Sequence, residues 1–490
     1  MAFTGGAPAR LDPDVDPKDL DEGPKAVTVP GAFGGWIELA RRYGRRPLST
    51  LLEPAIGYAR DGHPLDEWIT GYIRDAQASI ARYPTTAAIF LPDGKIPAPR
   101  GTFRNVSLAR TFQAIADAET AAIKSGADRE RALDAAYDYF YSGPIAQEFD
   151  RFMREGGGWL NLEDMRAYRP RWADPVSTAY RGYDVYCAPL TSRTGLELCE
   201  QLNIVEGFDL SGFVPDDPML PHLQIEAIKI TKADVYRYAA DPRFFRTPVK
   251  TLISKEFAAK RRKLISSSRA IAFPAGADIP PASSVPRLAA LDERRRKGDT
   301  TSLSVVDADG NGIAMTTTLG GGFGTIVVMG DTGLLCNNGL RLGSTSPYAG
   351  HPNKVSPGHI PLLGNGPSIV LEKGRLKLVF GSLGGETIGQ TEFEFLVNII
   401  DHGMPIQAAI EAPRFALDPD PNFYKPGAMI RVQMEDRYPP ALTAALTDMG
   451  HRIEKVGPYS IGSVQGVLVD SSGNRMGGAD PRRTAYAIGY

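Results

Sequence analysis

The segment DTTSLSVVDADGNGIAMTTT, residues 299–318, decides the fold of this chain. It contains a strand pattern over residues 302–306, a turn sequence at residues 309–312 and a return strand over residues 313–318. The residues before it, 264–299, are rich in Ser, Pro and basic residues, which is typical of a linker. The sequence therefore predicts that a linker ends at Asp299 and that a β-hairpin begins at Thr300.

A threonine at the start of a strand, directly behind a linker, suits an N-terminal nucleophile. A threonine hydroxyl needs a base, and cleavage before Thr300 would free an α-amino group with a pKa of ~7.7–8.0 beside it. We hypothesise that Thr300 Oγ attacks the carbonyl of Asp299, and that an N→O acyl shift and hydrolysis release Thr300. The alternative is that Thr300 serves the strand through its β propensity alone.

The rest of the chain reads as a mixture of helices and strands. Apolar residues recur at helical spacing through much of residues 36–150 and in several later segments. Other segments alternate apolar and polar residues, as strands do. These patterns predict an α+β layered domain, preceded by a polar, poorly ordered leader at residues 1–28. The later helices are expected at residues 223–240, 390–401 and 439–449, and the other strands at residues 178–189, 324–328, 368–371, 376–380 and 466–469.

A glycine pair, Gly384-Gly385, follows one of the predicted strands and precedes a predicted helix. Glycine leaves backbone N–H groups unshielded, so the pair can donate two hydrogen bonds to an oxyanion. An ordinary strand-to-helix turn is the other interpretation.

Composition excludes several classes of function. The chain has 490 residues, 42% hydrophobic and 23% charged, with a formal net charge of −2, so no global field draws it to nucleic acid or an anionic membrane. The basic run at residues 294–297 is interpreted as a solvated loop. No apolar run approaches ~18 residues, and the start lacks the apolar region of a secretory signal, which predicts a cytoplasmic protein.

The metal-ligating residue types show no ligand spacing. Three cysteines and six histidines are scattered along the chain, with no paired-cysteine motif and no histidine cluster in sequence. We therefore predict neither a metal site nor a cofactor.

The hairpin segment resembles the start of the small subunit of γ-glutamyltransferases, also called glutathione hydrolases, in the superfamily of N-terminal-nucleophile (Ntn) hydrolases. The resemblance continues in order along the chain through these blocks: VPGAFGGW at 29–36, EAIKITKADVYRYAADP at 226–242, FGTIVVMGDTGLLCNN at 323–338, PLLGNGPSIV at 361–370, GSLGGETI at 381–388 and GGADPRR at 477–483.

The resemblance implies a four-layer αββα sandwich and a precursor that cleaves itself into two subunits. A large-subunit part would cover residues 29–299 and a small-subunit part residues 300–490. The substrate would be a small-molecule amide, with glutathione and other γ-glutamyl compounds as the family's usual choice. The catalytic set implied by the match comprises Thr300 as nucleophile, Thr318 as its orienting partner, and Gly384 and Gly385 as the oxyanion hole.

The chain departs from the family at the residues that hold the γ-glutamyl group. Gly320, Gly339 and Leu342 occupy the positions of the Asn, Gln and Asp that bind its ammonium, and the Leu363-Gly364 pair replaces two serines that bind its carboxylate. Losing several charge-assisted hydrogen bonds weakens binding of a zwitterion, so we expect a pocket retuned toward a less polar acyl group.

Two charged residues are the candidates for a remaining polar contact with the substrate. These residues are Arg341 and Glu386. The alternative for each is that it forms a salt bridge at the protein surface.

A second departure concerns the N-terminal part of the fold. Family members begin with a glycine-rich segment and a carboxylate-binding arginine, and this chain starts after both. Either this sequence begins downstream of the first strands of the sandwich, or those strands are absent; if they are absent, we expect the central sheet to lose pairing partners and to expose an edge. The alternative to an enzyme is a truncated, non-catalytic homologue that acts as a binding module.

Overall fold

The computed structural model describes residues 4–190, 192–214, 216–279 and 298–490. Half of the predicted linker, residues 280–297 with the basic run at 294–297, lies outside these residues. The chain forms two compact units. Unit 1 comprises Met1–Ala173, Leu319–Leu342 and Val355–Pro361, and unit 2 comprises Asp174–Thr318, Gly343–Lys354 and Leu362–Tyr490.

Unit 1 is mainly helical, as the spacing of its apolar residues predicts. Its helices are α1 (Ala32–Tyr43), α2 (Leu48–Asp61), α3 (Glu67–Asp75), α4 (Gln77–Ala81), α5 (Pro84–Phe90), α6 (Val106–Lys124), α7 (Arg129–Tyr141), α8 (Pro144–Gly156) and α9 (Leu162–Ala167). Two short strands, β1 (His63–Pro64) and β2 (Thr102–Phe103), pair antiparallel. Helix α6 packs between α2 and α7, because its small apolar residues face both neighbours.

The segment expected to be a poorly ordered leader is largely irregular chain over its described residues, 4–28. It contains 3₁₀ helices at Pro17–Leu20 and Pro24–Ala26. Leu11 and Leu20 are buried against Leu340 and Val355. These apolar side chains find partners more than 300 residues away in sequence, which composition cannot reveal.

Unit 2 combines helices with three sheets. Its helices are α10 (Thr194–Val205), α11 (Met219–Tyr238), α12 (Val249–Leu252), α13 (Lys255–Arg262), α14 (Ile388–Ile400), α15 (Ile406–Glu411) and α16 (Pro440–Asp448). Its strands are β3 (Val176–Tyr180), β4 (Tyr183–Cys187), β5 (Gly298–Val306), β6 (Gly312–Gly321), β7 (Ser368–Glu372), β8 (Arg375–Leu383), β9 (Phe415–Asp420), β10 (Met429–Glu435), β11 (Ile453–Val456), β12 (Ser463–Val469) and β13 (Arg475–Gly478), with β6 running three residues past the unit boundary.

The central sheet of unit 2 has six antiparallel strands in the order β13-β12-β8-β7-β4-β3. Strand β8 shows how its two faces are used. Leu378 and Phe380 belong to the main core, where the Phe380 ring contacts Phe395 of α14. Residues of the other parity, Val379 and Gly381, face the hairpin formed by β5 and β6. A helical layer, a six-stranded sheet and the hairpin are therefore stacked, as expected for an α+β fold.

The hairpin β5-β6 forms a two-stranded sheet of its own. Its inner face packs on β8 and β12. Its outer face carries exposed apolar side chains at Leu303, Val305 and Ile313. The smaller third sheet has the order β11-β10-β9.

Two strand predictions were wrong. Residues 178–189 are not one strand: β3 and β4 form a hairpin there, because Arg181 and Gly182 adopt positive φ angles of 51° and 87°. Residues 324–328 form a loop, since Phe323 and Ile326 also have positive φ, which no strand tolerates. The other predicted strands and the helices at 223–240, 390–401 and 439–449 are confirmed within a few residues.

Candidate active site

Strands β5 and β6 bring the two predicted catalytic threonines together. The tight turn at residues 307–312 is fixed by Asp307, whose carboxylate accepts hydrogen bonds from the Asn311 backbone N–H (2.8 Å) and amide (2.9 Å). The strands that leave this turn place Thr300 opposite Thr318. The hydroxyl of Thr300 donates to Thr318 Oγ at 3.3 Å, and both residues are half-buried.

The peptide bond before Thr300 is part of the same hydrogen-bond network. The hydroxyl of Thr318 donates to the carbonyl oxygen of Asp299 at 2.6 Å. The Thr300 N–H donates to the Asp299 carboxylate at 2.9 Å. A donor on the carbonyl oxygen draws electron density from the carbonyl carbon and stabilises an oxyanion that forms there. Thr318 is therefore placed to activate the bond that Thr300 would attack.

The glycine pair lies in the turn between β8 and α14, at one end of the 3₁₀ helix Gly385–Thr387. This turn packs against β5. Gly384 has φ +129° and Gly385 φ +67°, a conformation that favours glycine at both positions. A side chain at Gly384 would also begin 2.5 Å from Thr387 Oγ and 3.1 Å from Gly462 Cα. The turn thus places backbone without side chains close to β5, the strand that contains Thr300. The role of the glycine pair as an oxyanion hole stays a prediction.

Three of the predicted substrate-binding positions, Leu363, Gly364 and Glu386, belong to unit 2. Gly364 lies beside the glycine pair: a Cβ built on it would be 3.0 Å from the carbonyl oxygen of Gly385. Glu386 is 8% exposed, so the alternative of a surface salt bridge is wrong for it. These positions lie around the predicted oxyanion turn.

The other four positions, Gly320, Gly339, Arg341 and Leu342, belong to unit 1. A Cβ on Gly320 would lie 2.1 Å from Asn338 Oδ1, and one on Gly339 would lie 2.6 Å from Thr28 Oγ. A side chain at either position would therefore displace the neighbouring side chain, and at Gly320 the φ of 102° would strain the backbone as well.

Arg341 and Leu342 are both buried in unit 1. Arg341 is 5% exposed and its Nη1 donates to the carbonyl oxygen of Leu342 at 3.3 Å. A surface salt bridge is therefore wrong for Arg341 as well.

Sequence reasoning missed Arg193, which lies directly before α10 and is 3% exposed. Its Nη1 donates to the carbonyl oxygens of Gly343 and Leu362, both at 3.0 Å. Its backbone N–H donates to the carbonyl oxygen of Leu363 at 3.2 Å. No local pattern could have identified it, since its partners are 150 or more residues away in sequence.

Arg193 belongs to a buried group of charges between α10, α11 and the oxyanion turn. Lys232 Nζ donates to Glu197 Oε2 at 2.9 Å and to the carbonyl oxygen of Glu386 at 3.1 Å. Arg193 lies 3.6 Å from Glu197 Oε1 and 3.8 Å from Glu386 Oε1. Two cations and two carboxylates share this space, as buried charges require. Lys232 thereby fixes the backbone of the turn that follows Gly385.

A separate buried cluster contains metal-ligating residue types, which the sequence did not indicate. Single ligand atoms of His222, Glu226 and His451 lie within 4.8 Å of one another. His222 Nε2 is 2.7 Å from the carbonyl oxygen of Ser266, so that nitrogen carries a proton and Nδ1 accepts from His451 Nε2 at 2.8 Å. Lys229 donates to Glu226 at 2.8 Å, and burial lowers the pKa of His451 to about 3. These contacts form a buried hydrogen-bonded network in the core that includes the Lys229–Glu226 ion pair.

Among the described residues, no helix combines the length and the apolar character needed to cross a bilayer.

The chain is similar to known amide hydrolases over its whole length. The family model described as gamma-glutamyltranspeptidase matches residues 2–490. The acylase ACY 1 proenzyme of Pseudomonas sp. (strain SE83) is 31% identical, over 93% of this chain and 74% of that protein. The glutathione hydrolase proenzyme of Escherichia coli (strain K12) is 30% identical, over 98% of this chain and 79% of that protein.

The solved structures agree with this similarity. A crystal structure of cephalosporin acylase from Bacillus halodurans has a TM-score of 0.82 and 29% identity, and covers 100% of this chain and 84% of that one. The fold and the match therefore define an Ntn hydrolase. Within that class, the chain belongs to the gamma-glutamyltranspeptidase family.

Proposed function

We propose that this protein is a threonine-nucleophile amidohydrolase or acyltransferase that cleaves itself between Asp299 and Thr300. One observation carries the proposal: the Thr318 hydroxyl links the Thr300 hydroxyl, at 3.3 Å, to the carbonyl oxygen of Asp299, at 2.6 Å. One side chain thus contacts both the attacking oxygen and the oxygen on which negative charge would develop.

The self-cleavage proceeds in two steps. Thr300 Oγ adds to the Asp299 carbonyl carbon, its proton passes to the departing Thr300 nitrogen, and the C–N bond breaks to leave an ester. Water then hydrolyses the ester, which gives a carboxylic acid on Asp299 and a free amine and hydroxyl on Thr300. One water is consumed, and the products are a large subunit ending at Asp299 and a small subunit beginning at Thr300.

The mature enzyme would use the same threonine on its substrate. The freed α-amino group of Thr300 takes the hydroxyl proton as Oγ attacks the amide carbonyl, and the amine leaves with a proton. The N–H groups of Gly384 and Gly385 would bind the oxyanion. Water or an amine then releases the acyl group from Thr300 Oγ. The base needs no histidine, because a free α-amino group titrates near ~7.7–8.0.

The acyl group of the substrate would differ from the usual γ-glutamyl group. Glycine or leucine at positions 320, 339, 342, 363 and 364 replaces the polar side chains to which the family resemblance assigns γ-glutamyl binding. The acylase and glutathione hydrolase names of the relatives support an acyl amide as the substrate class.

The intact masses of the purified protein and of Thr300→Ala test the proposal. The wild type should give two fragments, residues 1–299 and 300–490, while Thr300→Ala stays whole. Thr301→Ala is the matched control: it changes the exposed neighbouring threonine and should still cleave. A wild-type chain that remains intact would refute the proposal and favour a non-catalytic binding module.

A further inference from the structure

We infer that Cys187 and Cys199 form a reversible disulfide bond that ties strand β4 to helix α10 under oxidising conditions. Both residues lie in unit 2, and both are free thiols in the structure. They are 12 positions apart in sequence, and the fold brings their sulfur atoms to 3.9 Å. Neither residue belongs to the predicted catalytic set, so the pair can be tested whether or not the chain cleaves itself.

Gly195 allows α10 to pack closely on the end of β4. A Cβ on Gly195 would lie 2.2 Å from the carbonyl oxygen of Ala188 and 3.3 Å from the Cβ of Cys187. Residues four apart lie on the same face of a helix, so Cys199 follows Gly195 on the face that contacts β4. The Cβ atoms of a disulfide lie about 3.5–4.5 Å apart, and close packing of this kind brings Cβ atoms to such distances.

The two sulfur atoms need a small displacement to bond. They lie 3.9 Å apart, whereas a disulfide bond is about 2.0 Å long. Cys187 is the last residue of β4, and the pairing of β4 with β7 ends one residue earlier, at Tyr186. Rotation of the two side chains, with a shift of the strand end, can therefore close the gap without breaking the pairing between β4 and β7.

Burial keeps the reduced pair unreactive while α10 is packed on β4. Cys187 is 4% exposed and Cys199 is 0% exposed. The neighbouring Cys199 thiol and burial together raise the pKa of Cys187 well above its ordinary value, and the thiolate is the nucleophile in disulfide exchange. Oxidation therefore requires that α10 opens from β4, and the bond, once formed, holds the two elements together.

The oxidant can be a small disulfide such as glutathione disulfide. The thiolate of one cysteine attacks a sulfur of the oxidant and releases one glutathione. The second cysteine then attacks the mixed disulfide, which forms the bond between Cys187 and Cys199 and releases the second glutathione. The protein gives up two electrons and two protons, and the oxidant takes up both.

The test equilibrates the purified wild type with glutathione redox buffers, labels the free thiols with N-ethylmaleimide in denaturant, and counts the labels by mass. Equilibration uses a low urea concentration at which N-ethylmaleimide alone labels both cysteines, which proves that the pair opens. We expect a single label, at Cys336, and one cross-linked peptide that contains Cys187 and Cys199. Half-oxidation should need about 10- to 100-fold less oxidising glutathione conditions than in full denaturant, because a disulfide that fits the fold is stabilised by it.

Three outcomes of the label count would contradict the disulfide. One is that all three cysteines stay free after equilibration, and another is that glutathione attaches to either cysteine without the cross-link. The third is equal oxidation at low urea and in full denaturant, because the fold would then not favour the bond. Each of these results would overturn the inference.

Thermal unfolding supplies matched control variants. Oxidation should raise the Tm of the wild type by several degrees, and Cys187→Ala and Cys199→Ala should each abolish this shift. Cys336→Ala should keep it, because Cys336 lies in the core of unit 1. An equal shift in Cys187→Ala would overturn the inference, and if an alanine variant fails to fold, the label count in the wild type decides.

Discussion

At the scale of single residues, Thr318 has the clearest predicted effect. Thr318→Val keeps the shape of the side chain but removes the hydrogen bond to the Asp299 carbonyl oxygen. We expect self-cleavage to slow about 10²- to 10³-fold, the usual effect of losing one oxyanion donor. Thr318→Ser keeps the hydroxyl and should cleave at a rate close to wild type. The cleaved fraction over time, measured by mass spectrometry, checks both, and equal rates for the valine and serine variants would argue against this role.

At the scale of structural elements, the turn between β8 and α14 matters most. Gly384 and Gly473 both have positive φ, 129° and 84°, so Ala strains the backbone at either position. Only at Gly384 does a Cβ also meet atoms, Thr387 Oγ at 2.5 Å and Gly462 Cα at 3.1 Å, while nothing lies within 4 Å at Gly473. Gly384→Ala should therefore displace the turn and lower turnover by at least about 10²-fold.

Gly473→Ala serves as the control for this turn. It should cost about 1 kcal/mol of unfolding free energy and leave anilide hydrolysis intact. Steady-state kinetics and urea unfolding on both variants separate the two effects. Full turnover in Gly384→Ala would show that the turn does not bind the oxyanion.

At the scale of the whole molecule, the buried carboxyl of Glu394 should make a pH-dependent contribution to stability. Burial raises the pKa of Glu394 on α14 to about 8, although Arg414 lies near and the Phe415 N–H donates to its carboxylate at 3.3 Å. A raised folded-state pKa means that the protonated acid is favoured. Its stabilising contribution is therefore complete below the ordinary glutamate pKa and is lost as the pH rises through about 8.

Urea unfolding between pH 5.5 and 8.5 measures this loss, which we expect to be about 2–4 kcal/mol in unit 2. Glu394→Gln removes this titration and should reduce the slope of unfolding free energy against pH. Any loss of stability that the variant shows at pH 5.5 should therefore shrink or reverse at pH 8.5. Glu435 affects stability only at lower pH. Although burial opposes the shift, its pKa is lowered because Arg482 and Arg437 bind its carboxylate. An unchanged slope in the variant would exclude Glu394 as the cause.

The sequence by itself determined the local features. The hairpin after the linker, with Thr300 and Thr318 at its open end, and the glycine pair between a strand and a helix follow from short-range patterns, because turn chemistry and strand alternation act over a few residues. The same holds for most helices. The strand predictions were wrong where a residue adopts a positive φ, as at Arg181-Gly182 and Phe323. Strand propensity does not determine φ at a single position.

Only the tertiary structure decided which side chains meet across the sequence. Arg193 contacts Leu362, 169 residues away. Gly320 packs against Asn338, and Gly339 packs against Thr28. Burial of Glu386 could not be read from its neighbours. Such contacts depend on how distant segments pack, and a charge becomes decisive only when packing removes it from water. That physical difference separates the candidate nucleophile, which the sequence indicates, from the buried charges beside the turn between β8 and α14, which it does not indicate.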